Sequence, residues 1–262
     1  MLLRPLSKAI GLITMLSLSP FSQAKPALED PLTELDSNLW WVSDGWSNGF
    51  PSYSRWESEA ISHSSEGMAI TLSHAPNGID EFEFQSGELR SEAFYGYGCY
   101  EVEMKPIAEP GVISSFFLFS GPFDKPNNGN GMHNEIDIEF LGYDTNVMQI
   151  NYWTNDDRYA QSHEQLVYLD FDASEDFHRY GIKWTKGSIK WYIDGELVYT
   201  VKNSNYDPIP SAKDSRLRIM MNVWAADDRI SNWAGEFNKD PNTYLTAYYK
   251  NFRFSSGRSC TL

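Results

Sequence analysis

The sequence predicts an all-β protein, a jelly-roll sandwich of two sheets, and three observations support this. Short runs of aromatic and β-branched residues alternate with polar residues along most of the chain. Turn-forming Gly, Pro and Asn residues separate these runs. No window of useful length has apolar residues at helical spacing, so we expect few helices. Many short strands joined by tight turns are typical of a two-sheet sandwich.

The strands can be placed in order along the chain. Their ranges are residues 94–105, 111–119, 134–141, 147–155, 180–201 (a meander of several strands), 216–224 and 244–254. Lys186-Gly187 and Asp194-Gly195 are strong tight-turn pairs inside the meander. Residues 120–133 form the longest irregular stretch and are rich in Pro, Asn and Gly. Such a loop either borders one end of a substrate groove or is a mobile loop on the surface.

Residues 1–24 have the pattern of a secretory signal peptide. Arg4 and Lys8 give a positive start, and residues 9–18 form an apolar run too short to span a bilayer. Residues 22–24 (Ser-Gln-Ala) then offer a small-residue cleavage site. The alternative is an N-terminal membrane anchor, which the short run disfavours. We expect a secreted protein, extracellular or periplasmic, whose residues 25–262 form a single domain.

The chain is strongly acidic, with a formal net charge of −15, and it loses two further positive charges with the leader. A domain of this charge is repelled by phosphate backbones and by anionic lipid surfaces, so we expect neither nucleic acid nor membrane as a partner. Aromatic residues make up 15% of the chain and include nine Trp. Such rings suit stacking on neutral sugars, although most of them must lie in the core.

Cys99 and Cys260 are the two cysteines of the chain. Cys99 alternates with Glu101 and Glu103, so we expect its side chain to point away from the core. Export permits a disulfide between the two cysteines, but two free thiols are equally compatible with the sequence. Neither cysteine lies near a Cys or His cluster, so we expect no metal site and no cofactor.

Residues 134–142 place three acids on alternate positions of one predicted strand. Glu135, Asp137 and Glu139 share one face of that strand, because successive side chains point to opposite faces. Neighbouring acids are roughly 6.6 Å apart between Cα atoms, so each ionisation is felt by the next. An acidic solvated face is the simpler interpretation, yet no basic residue lies in the strand to offset the charges. Two carboxyl groups with separated pKa values are what hydrolysis of a glycosidic bond requires.

These acids belong to a longer pattern. Residues 135–139 (Glu-Ile-Asp-Ile-Glu) match the signature of glycoside hydrolase family 16, and the chain resembles that family, its bacterial licheninases most of all. Other licheninase-like segments are residues 95–98, 114–117, 171–174, 190–195 and 220–224. The resemblance extends over residues 36–254. It implies a concanavalin-like jelly roll with a substrate cleft on its concave sheet.

The resemblance also implies a site. By position, Glu135 is the nucleophile of a retaining mechanism, Glu139 is the general acid/base, and Asp137 tunes the ionisation of both. The residues expected to contact sugar are Asn48, Glu88, Arg90, Phe117, His133, Asn151, Trp153, Asn222, Trp224 and Trp233. For Glu88 and Arg90 the alternative is an ordinary ion pair, and each Trp is equally compatible with packing. Packing is assigned outright to Trp40, Trp184 and Trp191.

Some positions depart from the licheninase pattern. His133 stands where licheninases carry a Trp, which resembles xyloglucan transglycosylases and exopolysaccharide depolymerases, and the loop before it is several residues longer. Ser54 and Ser86 stand where licheninases have a bridged cysteine pair. Lys250 stands where the family's structural calcium site takes an Asp ligand, which argues against calcium binding.

The resemblance leaves the substrate open. Soluble β-1,3-1,4-glucan is the first choice, because the flanking segments are most similar to licheninases. A succinoglycan-type bacterial exopolysaccharide is the second, because residues 41–49 and His133 resemble depolymerases of that polymer. Transglycosylation is the third. A non-catalytic carbohydrate-binding protein of the same fold is disfavoured by the intact acid triplet. We expect the protein to be a monomer.

Overall fold

The computed structural model describes residues 28–75, 83–124, 129–157, 163–256 and residue 260, so the predicted leader lies outside the described residues. The strands are β1 (Leu28–Asp30), β2 (Trp40–Val42), β3 (Ser54–Trp56), β4 (Ile61–Ser64), β5 (Gly67–His74), β6 (Phe84–Ser86), β7 (Glu88–Ser91), β8 (Gly98–Lys105), β9 (Val112–Ser120), β10 (Asn134–Leu141), β11 (Val147–Trp153), β12 (Gln165–Tyr168), β13 (His178–Trp184), β14 (Ser188–Ile193), β15 (Glu196–Lys202), β16 (Arg218–Ala225) and β17 (Tyr244–Ser255). Within these described ranges, the α-helix α1 (Ser231–Ala234) follows a 3₁₀ turn at Asp228–Ile230, and another 3₁₀ turn lies at Ser58–Ala60.

The strands form two sheets. The ten-stranded sheet has the order β15-β14-β13-β8-β17-β5-β6-β3, with β1 beside β17 and β4 beside β5. The seven-stranded sheet has the order β12-β11-β10-β9-β16-β7-β2. The paired strands are antiparallel except β3 and β6, which are parallel. The structure therefore confirms the predicted two-sheet jelly roll.

One large hydrophobic core lies between the sheets. Alternation along β8 shows how the sequence produces it: Tyr100, Val102 and Met104 are fully buried in the core, and the residues between them face outward. Strand β9 is buried along nearly its whole length, as its continuous apolar run predicts. The packing role is confirmed for Trp40, Trp184 and Trp191, all of which are buried in the core.

Two core side chains of the ten-stranded sheet bond directly to the backbone of the seven-stranded sheet. The Trp191 Nε1–H donates to the carbonyl oxygen of Asp137 at 2.9 Å. The Tyr249 hydroxyl lies 3.2 Å from the carbonyl oxygen of Ser115 and 3.1 Å from that of Asn222. Buried polar groups that find partners in this way rigidify the surrounding structure. Strands β9, β10 and β16 are therefore fixed from the core side.

The predicted meander is present as β13, β14 and β15. Its second turn holds Asp194 at φ 49° and Gly195 at φ 83°, the left-handed pair that a two-residue hairpin requires. The remaining predicted strands coincide with β8, β9, β10, β11, β16 and β17. The sequence analysis does not place β1 to β7 or β12, most of which have only three or four residues and so reveal no period.

The outward face of β8 carries a covalent link. Cys99 and Cys260 form a disulfide with 5.3 Å between their Cα atoms, so of the two alternatives left by the sequence the structure has the bridge. Cys99 is buried although it lies outside the hydrophobic core. Lys250 lies on the adjacent strand, where its Nζ is 3.8 Å from Glu103 Oε2 and 3.9 Å from the centroid of the Phe177 ring.

Ser54 and Ser86 lie on neighbouring strands, β3 and β6, and both are fully buried. Across the described ranges, no group of three or more His, Cys, Asp or Glu side chains is arranged to hold a metal ion. Within the same ranges, no helix is both long and apolar enough to cross a membrane.

Candidate active site

Strand β10 lies near the middle of the seven-stranded sheet and carries the three acids. Ile136, Ile138 and Phe140 are fully buried in the core, so Glu135, Asp137 and Glu139 occupy the opposite face. We call this surface, turned away from the core, the cleft face.

The strand register gives each acid its neighbours. Glu135 lies opposite Phe119 and Trp153, Asp137 opposite Phe117 and Asn151, and Glu139 opposite Ser115 and Gln149. These cross-strand neighbours are aromatic rings, amides and a hydroxyl, so none of them supplies a positive charge.

Burial changes the ionisation of Asp137 and Glu139. Burial, followed by the negative charges of Glu135 and Glu139, raises the pKa of Asp137 well above its ordinary value. Burial, followed by the charge of Glu135, raises the pKa of Glu139 to about 8, although a hydrogen bond from Gln149 opposes this shift. Glu139 is therefore protonated at neutral pH. The Glu135 side chain retains 19% exposure.

Glu139 is oriented by a chain of hydrogen bonds. The Gln149 side chain donates from Nε2 to Glu139 Oε2 at 2.9 Å, and the Trp233 Nε1–H donates to Gln149 Oε1 at 3.0 Å. Trp233 in turn stacks on Trp224, with ring centroids 6.1 Å apart and planes at 25°. Gln149 was not among the predicted site residues. Its position in phase with Asn151 on an alternating strand is the signal that could have identified it.

Glu135 has a different partner. His133 Nε2 lies 2.5 Å from Glu135 Oε2, and the imidazole stacks on Trp153 with centroids 5.7 Å apart and planes at 22°. Burial lowers the pKa of His133, but the hydrogen bond and charge of Glu135, with Asp156 and Asp157, outweigh burial, so the net pKa is raised. His133 thus acts on the carboxylate of Glu135 directly, a contact that was not predicted.

A second acid lies deep beside the triplet. Glu88 on β7 is 2% exposed and accepts hydrogen bonds from Ser43 Oγ at 2.7 Å and Asn222 Nδ2 at 3.2 Å. Burial raises the pKa of Glu88, against the effects of Ser43, Arg90 and Asn222. The Arg90 Nε lies 3.9 Å from Glu88 Oε1, and its guanidinium lies 3.9 Å from the centroid of the Trp41 ring. This is a buried polar network rather than an ordinary surface ion pair.

Three buried polar atoms, two in this network and one on Ser115 opposite Asn222, have no hydrogen-bond partner among the described residues. These atoms are Asn222 Oδ1, Ser115 Oγ and Arg90 Nε. Buried polar atoms are normally satisfied, so such atoms beside an open surface are candidates to bond a ligand. A sugar hydroxyl can both donate to an oxygen and accept from a guanidinium N–H.

The other predicted contact residues are more varied. Phe117 is nearly buried on the cleft face beside Asp137. Asn151 Oδ1 already accepts from the backbone N–H groups of Tyr152 and His163, each at 2.9 Å, so only its amide nitrogen remains for a sugar. Asn48 is exposed in the segment between β2 and β3.

A two-sheet jelly roll whose open face carries carboxyl groups beside aromatic rings is the architecture of a glycoside hydrolase. Comparison with known proteins specifies the family. The model of glycosyl hydrolases family 16 matches residues 51–246, and the chain belongs to that family.

Individual relatives are similar over most of their length. The chain is 41% identical to a beta-glucanase of Bacillus subtilis (strain 168) over 212 residues, which is 80% of this chain and 78% of that protein. Among solved structures, the Bacillus licheniformis beta-glucanase has a TM-score of 0.77 at 38% identity, covering 90% of this chain and all of that one. A lichenase from a mouse hindgut metagenome has a TM-score of 0.78 at 34% identity, covering 88% of this chain and 99% of that one.

Proposed function

We propose that the protein is a secreted endo-β-1,3-1,4-glucanase that cleaves its substrate with retention of configuration. The relatives named beta-glucanase and lichenase support the substrate class. The observation that carries the mechanism is the pairing on one face of β10 of two partly buried glutamates, Glu139 with a pKa raised to about 8 and Glu135 beside His133. A carboxylic acid and a carboxylate flanking one bond are the two groups that glycosidic cleavage needs.

In the first step, an oxygen of Glu135 attacks the anomeric carbon while Glu139 gives its proton to the departing glycosidic oxygen. The product is a glycosyl ester of Glu135, and Glu139 is now ionised. In the second step, Glu139 takes a proton from water as the water oxygen attacks the same carbon, and the ester bond breaks with its electron pair returning to Glu135. Asp137 lies between them, and its raised pKa favours the protonated form, which can donate a hydrogen bond to Glu135 and limits the accumulation of negative charge.

The aromatic and amide side chains of the cleft face would hold the polymer. Trp153, Trp224 and Trp233 are partly buried at or beside this face and can offer ring surface to sugar faces. Asn222, Arg90 and Glu88 would bond hydroxyl groups near the cleaved bond, where Asn222 Oδ1 and Arg90 Nε have bonding capacity left. Export by the predicted leader, residues 1–24, is part of the same proposal, since β-glucan is an extracellular polymer.

The test is a product profile on barley β-glucan, laminarin, xyloglucan and a succinoglycan-type polymer, with NMR of the first-formed anomer. We expect oligosaccharides from barley β-glucan with the β-anomer formed first, and at least a hundredfold lower kcat for Glu135→Gln. Glu196→Gln, an exposed position on β15, is the matched control and should behave as wild type. Full turnover by Glu135→Gln, or an initial α-anomer, would refute the mechanism.

A succinoglycan-type exopolysaccharide remains the second candidate substrate. The contact of His133 with Glu135 favours it, because the resemblance to exopolysaccharide depolymerases includes a His at this position. Cleavage of that polymer alone would replace the substrate and leave the roles of the two glutamates unchanged.

A further inference from the structure

The imidazole of His133 is fixed from several sides. Its Nε2 lies 2.5 Å from Glu135 Oε2, and its ring lies between Trp153 and Phe119, with centroids at 5.7 and 5.5 Å. Its backbone is also held, since its N–H donates to Asp156 Oδ1 at 2.7 Å and its carbonyl accepts from the Asp156 N–H at 3.0 Å. An imidazole fixed in this way can in turn fix the position of the Glu135 carboxylate.

The charged groups that face this ring are acidic. They are Glu135 near the start of β10 and Asp156 and Asp157 in the segment after β11, while Phe119 and Trp153 on the flanking strands carry no charge. These negative charges favour the imidazolium form. A carboxylate oxygen can only accept, so His133 Nε2 is the donor in this bond whenever Glu135 is ionised.

We propose that His133 is a positioning residue that binds the Glu135 carboxylate and favours its departure from the glycosyl-enzyme. This inference rests on the proposed function, since it assigns a partner to the proposed nucleophile. The donor bonds most strongly when Glu135 is a free carboxylate, before attack and after the ester has broken. An ester oxygen carries no full charge and accepts a hydrogen bond more weakly. The hydrogen bond from His133 therefore stabilises the free Glu135 carboxylate more than the glycosyl ester.

The expected kinetic effect follows from that asymmetry. Without the donor, the rate at which Glu135 attacks the substrate changes little, while the rate at which the glycosyl ester of Glu135 is hydrolysed falls. We expect His133→Phe, which keeps a ring against Trp153, to lower kcat about tenfold, equivalent to about 1.4 kcal/mol. The KM should fall with kcat, so that kcat/KM changes by no more than about threefold. An aryl β-glucooligosaccharide should then show a burst of released phenol.

The pH profile gives a second readout. The imidazolium of His133 adds a positive charge beside the acids of the cleft face, and an uncharged side chain at this position removes that charge. The acid limb of kcat/KM should therefore move to higher pH by roughly half a unit to one unit in both His133→Phe and His133→Gln. His133→Gln keeps an N–H donor and should recover part of the lost kcat but not the position of the acid limb.

His178→Gln is the matched control. His178 also bonds a carboxylate, with Nδ1 2.7 Å from Asp194 Oδ2, and stacks on Phe171 with centroids 3.6 Å apart, but it lies on the ten-stranded sheet. This variant should leave kcat, KM and both limbs unchanged.

The outcomes separate the two proposals. Higher KM with unchanged kcat and an unmoved acid limb in both His133 variants would show that His133 only binds sugar and would overturn the inference. If Glu135→Gln keeps full turnover, the proposed function itself fails. Melting temperatures of the variants identify a folding defect, and His133→Gln decides the question if His133→Phe does not fold.

Discussion

Strands β8 and β10 carry almost the same pattern of alternating acids and apolar residues, yet their acids have different environments. On β8, Glu103 pairs with Arg179 and lies near Lys250, both on neighbouring strands. Glu101 lies opposite Arg253, and burial raises its pKa against the effects of Arg179 and Arg253. On β10, by contrast, the cross-strand neighbours are aromatic, amide and hydroxyl groups.

The difference shows that alternation determines only which face a side chain occupies. Whether an acid is paired or keeps a raised pKa depends on the strands that lie beside it. On β8, Glu103 pairs with cations of the neighbouring strands, and Arg179 and Arg253 oppose the rise that burial causes in the pKa of Glu101. The acids of β10 have no cation opposite them within the described strands, so burial and mutual repulsion raise the pKa of Asp137 and of Glu139.

The strongest test of this comparison substitutes one glutamate on each strand. Glu139→Gln removes the proposed proton donor, and we expect kcat to fall by roughly a hundredfold to ten-thousandfold on barley β-glucan. Glu103→Gln makes the same change on β8, where it weakens an ion pair, so kcat should stay within about twofold of wild type. Similar losses of kcat in both variants, with melting temperatures unchanged, would contradict the distinction between the two strands.

The disulfide allows the β8 region to be weakened without touching β10. The bridge between Cys99 and Cys260 spans 161 residues of sequence, so its removal should cost about 2 to 5 kcal/mol of unfolding free energy. For a domain of this size the melting temperature then falls by roughly 2–4 °C per kcal/mol. The variant is Cys99→Ser/Cys260→Ser, measured by calorimetry.

Well below the melting temperature, the kcat of that double variant should equal that of wild type. A kcat that falls while the protein remains folded would show that the outer face of the ten-stranded sheet influences the cleft face.

Much of the fold could be predicted from alternation and turn residues alone. Alternation predicts β8 and β10, a continuous apolar run predicts β9, and Asp194-Gly195 fixes a hairpin. Strands β1 to β7 and β12 were not placed, and for the short ones among them the position depends on which longer strands they pair with. The pairing of Arg179 with Glu103 is equally hidden, since 76 residues of sequence separate them.

The site was predictable to a similar degree. The shared face of the acids follows from the period of two. His133 lies two residues before Glu135, at the entry to β10, so their contact joins near neighbours in the sequence. The bond from Gln149 to Glu139 depends on the register between β10 and β11, which sequence does not reveal. The engagement of Asn151 by the backbone of His163 depends on the path of a loop.

The smallest expected effect concerns the ionisation of Glu139. Because this group must be protonated in the free enzyme, kcat/KM should fall as the pH rises through about 8, the pKa of Glu139.

The Gln149 donor favours the ionised form of Glu139, so Gln149→Met should raise that pKa and move the alkaline limb of kcat/KM to higher pH, by roughly half a unit. Trp233→Phe keeps the stack on Trp224 but loses the bond that orients Gln149, so it should shift the limb less and in the same direction. Gln85→Met on the ten-stranded sheet is the control, and a pH–rate profile in each variant is the measurement. An alkaline limb that moves to lower pH in Gln149→Met would mean that another group, and not Glu139, supplies the proton.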